Sequence, residues 1–129
     1  MALRDPADKN LLRLEARRFV SRCEATVSSI ERADTLREVS RLASSINLPY
    51  SLSEDYGARD GVRLIQTRAE DRARELINAQ LQGFLRSEET QREKQRRVMV
   101  DAMANLTGPL AHLHAWAQSK LVAATQQLR

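Results

Sequence analysis

Turn-forming residues, aromatic rings and cysteines are all scarce in this chain. Four glycines and three prolines among 129 residues leave few tight turns, and aromatic side chains make up only 4%. Isoleucine and valine together number 11, against 17 leucines and 17 alanines. A β-sandwich or barrel draws on β-branched and aromatic residues and on frequent turns, so this composition argues against both. It equally excludes collagen-like, mucin-like and wholly disordered chains. Leucine and alanine are strong helix formers, and alanine lets helices approach closely. The expected fold class is all-α, an antiparallel bundle of four or five helices, with residues 1–129 forming one helical domain.

The single cysteine, Cys23, has no intrachain disulfide partner. That fits a reducing compartment. Met1-Ala2-Leu3-Arg4-Asp5-Pro6 has no apolar leader pattern, and no apolar run approaches the length of a membrane span. The expectation is a cytoplasmic protein of bacterial or phage type, without membrane insertion. Net charge is a modest +4, and no block of like charges forms a tail. Eighteen of the 21 basic residues are arginine. A guanidinium fork suits phosphate or carboxylate, yet a GC-rich coding sequence also supplies arginine and alanine freely.

Periodicity locates the helices. Leu12, Ala16, Phe19, Cys23, Val27 and Ile30 recur at gaps of three and four, predicting a helix over about 6–33 with Asp5 as cap. Asp34 interrupts it, either capping a second helix or kinking the first onward, and the stripe that follows is Leu36, Val39, Leu42, Ala43 and Ile46. Residues 47–60 read as a long loop, which would hold Tyr50, Glu54, Asp55 and Tyr56 as a candidate functional loop. Asp60-Gly61 then precedes an amphipathic pattern from Val62 to Leu85. Residues 87–97 contain no apolar residue, so about 86–98 is expected to be a polar helical segment, continuous with its neighbours or separated from them. Val98, Met99, Val100, Ala102, Met103 and Leu106 restore an apolar face. Gly108-Pro109 marks a break before a nearly uncharged last helix.

Catalytic signatures are weak. His112 and His114 stand two apart, a spacing that sends side chains on a helix to different sides, whereas a helical zinc pair needs three or four. No Gly-x-Ser-x-Gly or glycine-rich phosphate loop occurs. Neither metal, cofactor nor enzymatic activity is expected. A helix-turn-helix over 35–58 fails in its second half, where Ser53 fills an apolar position and Gly57 interrupts the recognition helix.

Two function classes remain. One is a non-enzymatic interaction module, either an adaptor, a small subunit of a larger assembly or a homo-oligomer. Its protein partner would meet the uncharged last helix at Leu110, Leu113, Trp116, Ala117 and Leu121. The other is a helical accessory subunit that contacts RNA or DNA backbone without sequence readout. Its phosphate contacts would come from Arg92, Lys94, Arg96 and Arg97, or from Arg13, Arg17 and Arg18 with Arg22. Glutamates lie among both sets, and aromatic interleaving for base stacking is missing, since Phe19 belongs to the apolar stripe.

Overall fold

A computed structural model describes residues 6–128, with side chains described from Lys9 onward. It is all-α, with five helices and no strand among the described residues. The helices are α1 (Pro6–Arg32), α2 (Leu36–Ala43), α3 (Tyr56–Arg86), α4 (Glu89–Met103) and α5 (Leu113–Gln127). Single 3-10 turns occur at Tyr50–Leu52 and Gly108–Leu110. No described helix is long and apolar enough to cross a membrane. The cap expected at Asp5 lies outside the described residues.

The 31-residue α3 is the axis of the molecule, and all four other helices pack on it. Its buried positions are Ala58, Gly61, Ile65, Ala69, Ala73, Ile77, Leu81 and Phe84. Four of these are alanine or glycine, which lets neighbouring backbones come close. On α1, the residues Ala16, Phe19, Cys23, Val27 and Ile30 form the buried stripe, as their spacing predicts, and the helix packs on α3. All of the buried apolar residues belong to one cluster.

The expected antiparallel order does not hold for α1 and α3. Val20 lies against Gly57, Cys23 against Gly61, Glu31 near Arg68, and the Ala33 carbonyl accepts from Arg72 Nε at 2.9 Å. Both residue numbers rise together, so the two helices run in the same direction. The return is made by α2, whose Leu36 lies near Leu76 of α3 and whose Ala43 lies near Val62 and Ile65. The extended 47–49 strand-like path and the 50–52 turn complete the way back to the start of α3.

Local chemistry sets the helix ends, and three of them differ from expectation. Thr35, not Asp34, caps α2, its Oγ1 accepting from the Glu38 amide at 3.2 Å. Asp34 is instead exposed and faces Arg72. The second helix also ends at Ala43, leaving Leu42 and Ile46 half-buried. Finally, α3 begins at Tyr56 rather than after Gly61, because Asp55 Oδ2 accepts from the Ala58 amide at 2.8 Å. Gly57 and Gly61, which read as turn residues, are instead helical positions that face Val20 and Cys23 of α1.

A break at Ser87–Glu88 separates α3 from α4. The Ser87 hydroxyl donates back to the Phe84 carbonyl at 2.6 Å, closing the older helix rather than opening the new one. Met99 and Met103 are the buried residues of α4. Val98 and Val100 stay 49% and 44% exposed, against expectation, because α5 packs on α3 and shares little contact with α4. Gly108 sits at φ +53, in the left-handed region that favours glycine. It falls in a turn after α4 has already ended, and Pro109 belongs to that turn rather than to α5. The turn is anchored twice. Ser40 Oγ and Thr107 Oγ1 lie 3.1 Å apart, and Gln66 Nε2 donates to the Pro109 carbonyl at 2.7 Å.

Candidate interaction surfaces

The last helix does not present its leucines outward. Leu110 and Ala117 are fully buried, and Leu113 and Leu121 nearly so. Four of the five residues expected at a partner surface therefore belong to the chain's own core, where they cover α3. The missing charge on α5 is accounted for by this packing together with a polar but uncharged outer face of Gln118, Ser119, Gln126 and Gln127. Trp116 alone is half-buried at the margin, with the Lys120 ammonium 5.9 Å from its ring centroid.

Half of the basic set on α4 is paired within its own helix. Glu93 accepts from Arg96 through both oxygens, at 3.1 and 2.8 Å, and Arg97 Nε lies 3.4 Å from the same carboxylate. The Arg96 hydrogen bonds hold the Glu93 carboxyl below its ordinary range, with smaller help from the two positive charges. Arg92 is half-buried, and its Nε has no hydrogen-bond partner. Lys94 points to solvent. One glutamate thus engages two of the four cations, which weakens the segment as a track for phosphates.

The α1 set is different. Arg13, Arg17, Arg18 and Arg22 are exposed, and none makes an ion pair among the described residues. Their place in the fold explains this. Val20 of α1 lies level with Gly57, at the start of α3. The described part of α1 before Val20 therefore overhangs the end of α3, by about 20 Å at 1.5 Å per residue. Among the described residues, the 49–55 crossover covers this part of α1. Pro49 and Leu52 pack beside Phe19, and the Ser51 hydroxyl donates to Glu15 Oε1 at 2.8 Å.

The overhang joins two groups that are far apart in sequence. On one side of α1, a hollow of about 340 Å³ is lined by Leu11, Leu14, Arg18, Arg22, Pro49 and Leu52, among others. On the other, a more open hollow of about 580 Å³ is lined by Arg13, Arg17, Val20, Asp55 and Gly57. Tyr50 and Tyr56 line neither hollow; they follow Pro49 and Asp55 in the chain and are 94% and 80% exposed. Thus the arginines of α1 and the segment read as a functional loop meet at the same end of the molecule, on two sides of the helix. Glu54 is exposed, whereas Asp55 is committed to capping α3.

Leu11 and Leu14, 64% and 43% exposed, were not singled out in the sequence. A signal was present: Leu11, Leu14, Arg18 and Arg22 fall at helical spacings on a second face, beside the Leu12-Ala16-Phe19 stripe.

A third surface lies between α4 and α5. This groove, of about 470 Å³, is lined by Arg96, Val100, His114, Gln118, Leu121 and Val122, among others. The two histidines separate, since His112 Nε2 lies 3.0 Å from Glu70 Oε1 on α3 while His114 faces the groove. No group of three or more metal-binding side chains gathers among the described residues. Cys23 is buried against α3, and burial pushes its thiol above the ordinary value.

No protein-family model, curated protein or solved structure matches the chain.

Proposed function

We propose that this chain is a non-enzymatic interaction module, an adaptor or small subunit, that docks a protein through the overhanging end of α1. The observation that carries the reading is the exposure of Leu11 and Leu14 on a helix that has run past its own bundle. Burying a leucine side chain is worth about 1.5–3 kcal/mol. An exposed ion pair is worth roughly 0.2–1 kcal/mol. On that scale the two leucines supply affinity, while the surrounding arginines select the partner and speed its approach. Tyr50 and Tyr56 add the residue type that, with arginine, dominates interface hot spots. A cytoplasmic setting accompanies this reading, supported by the single reduced and buried thiol.

A second reading, binding of RNA or DNA backbone, is favoured by one observation. The fold sets two exposed tyrosines at the same end of the molecule as four unpaired arginines, an arrangement of stacking rings and cations that suits a single strand.

Light scattering across a gel-filtration peak, with the 260/280 nm absorbance ratio read on that peak, tests both. A stoichiometric protein complex or dimer that Leu11→Asp dissociates supports the docking module. Copurified nucleic acid released by salt supports the second reading, because counterion release makes backbone binding salt-sensitive. A nucleic-acid-free monomer that captures no protein in its native lysate counts against both.

A further inference from the structure

The overhang has a strong charge bias as well as an apolar floor. Residues 6–22 carry Lys9, Arg13, Arg17, Arg18 and Arg22 against the two acids Asp8 and Glu15. The Glu15 carboxylate is already engaged by the Ser51 hydroxyl, at 2.8 Å. No other stretch of the described surface leaves four guanidinium groups without a carboxylate partner; those on α3 and α4 mostly pair within their own helix. The cations are also ordered in space. Arg18 and Arg22, one helical turn apart, line the same hollow as Leu11 and Leu14. Arg13 and Arg17, again one turn apart, line the hollow on the other flank.

We propose that the overhang captures an acidic amphipathic segment of a partner protein, with apolar side chains in the Leu11–Leu14 hollow and carboxylates on Arg18 and Arg22, which line the same hollow. This deepens the docking-module reading and rests on it. Charge complementarity selects the occupant. A guanidinium fork binds a carboxylate through two parallel hydrogen bonds, and arginine pairs one turn apart match acids at the same helical spacing. A nucleic acid would satisfy the arginines but leave Leu11 and Leu14 in water. A flat anionic membrane could cover the leucines but could not fill a hollow walled by Pro49 and Leu52.

The test is selection of a random peptide library, displayed on phage, against the full chain. Enriched peptides are then measured by fluorescence anisotropy, alongside labelled oligothymidylate and sedimentation with phosphatidylglycerol vesicles. Three variants are compared: Arg18→Glu with Arg22→Glu, Leu11→Ala with Leu14→Ala, and Val100→Asp with Val122→Asp in the α4–α5 groove. All six positions are exposed, and circular dichroism confirms that each variant stays folded. The expected result is a family of net-acidic peptides with apolar residues at helical spacing. These should lose about tenfold or more in affinity for each of the first two variants and nothing for the third. Peptides without acidic bias, or peptides lost only with the groove variant, overturn the proposal while leaving a docking module intact. Oligothymidylate or vesicle binding that the arginine changes abolish, with no peptide enriched, overturns the proposal and the docking module together. Absence of binding to all three probes does the same.

Discussion

The Sγ of Cys23 occupies the space that a β-carbon on Gly61 would need. Such a carbon would lie 2.9 Å from Sγ and 3.1 Å from the Cys23 Cβ. Both residues are buried where α1 and α3 cross, so neither has an open direction in which to yield. Replacing a helical glycine by alanine ordinarily gains about 1 kcal/mol. Overpacking a tight core costs about 1–3 kcal/mol. The clash is with the β-carbon as well as the sulfur, so the cost should win. Gly61→Ala is expected to lower stability by about 1–2 kcal/mol in urea denaturation. Adding Cys23→Gly to that variant should cost less than Cys23→Gly does alone, and simple additivity of the two changes would contradict the geometry.

Gly83 makes the opposite case on the same helix. Nothing lies within 4 Å of where its β-carbon would stand, and the residue is exposed. Gly83→Ala should therefore raise stability by about 0.5–1 kcal/mol, mainly by restricting the unfolded chain. A thermal or urea midpoint that does not rise would show that α3 is not regular at this point.

Leu110 and Leu113 were expected at a partner surface but are core residues. Their truncation should act on folding first. Leu110→Ala and Leu113→Ala are each predicted to cost about 2–5 kcal/mol in equilibrium unfolding, since each leaves a cavity in a packed interior. Leu11→Ala and Leu14→Ala, at the exposed overhang, should stay within about 0.5 kcal/mol of the parent. Equal effects of the two pairs would place the core elsewhere.

Glu93 and Glu38 predict a local response to acid. The Arg96 hydrogen bonds lower the Glu93 pKa, and those of Arg41 lower that of Glu38. A carboxyl whose pKa is depressed on folding stabilises the fold above its unfolded pKa, and this is lost as pH falls through the lower, folded value. Carboxyl NMR titration should thus find both midpoints below that of a free glutamate. Arg96→Gln should move the Glu93 midpoint upward and leave Glu38 unchanged. Both carboxylates are exposed, so the effect should show in the two helices concerned rather than in global stability.

The stripes of α1, α3 and α5 were legible because apolar residues at gaps of three and four need no tertiary information. Direction was not. Periodicity says which face of α1 is buried but not which way it runs along α3, and the parallel pairing of Cys23 with Gly61 appears only in the fold. Gly57 and Gly61 carried a misleading local signal, since a glycine needed for close approach looks the same as one needed for a turn. Thr35 and Asp34 are adjacent and both are good caps, so the choice between them fell to tertiary contacts. The exposure of Val98 and Val100 was hidden because it depends on α5 packing past α4 rather than on it. At the candidate surface, Arg13, Arg17, Arg18, Tyr50 and Tyr56 were each visible as separate groups. Their meeting was not, because Ser51 and Glu15, which join the two segments, stand 36 residues apart.

The parallel pairing also shapes the order of folding. Each contact of α1 with α3 joins residues about 38 positions apart, at Val20 with Gly57, Cys23 with Gly61, Glu31 with Arg68 and Ala33 with Arg72. By contrast, α3 and α4 are joined by a two-residue break. Closing a long loop costs more chain entropy than closing a short one, so the α3–α4 hairpin is expected to form early and α1 to dock late. During synthesis, at about 5–20 residues per second, Phe19, Cys23, Val27 and Ile30 leave the ribosome seconds before the alanine face that covers them exists. The same stripe that completes the core is, for that interval, the stretch most in need of a chaperone.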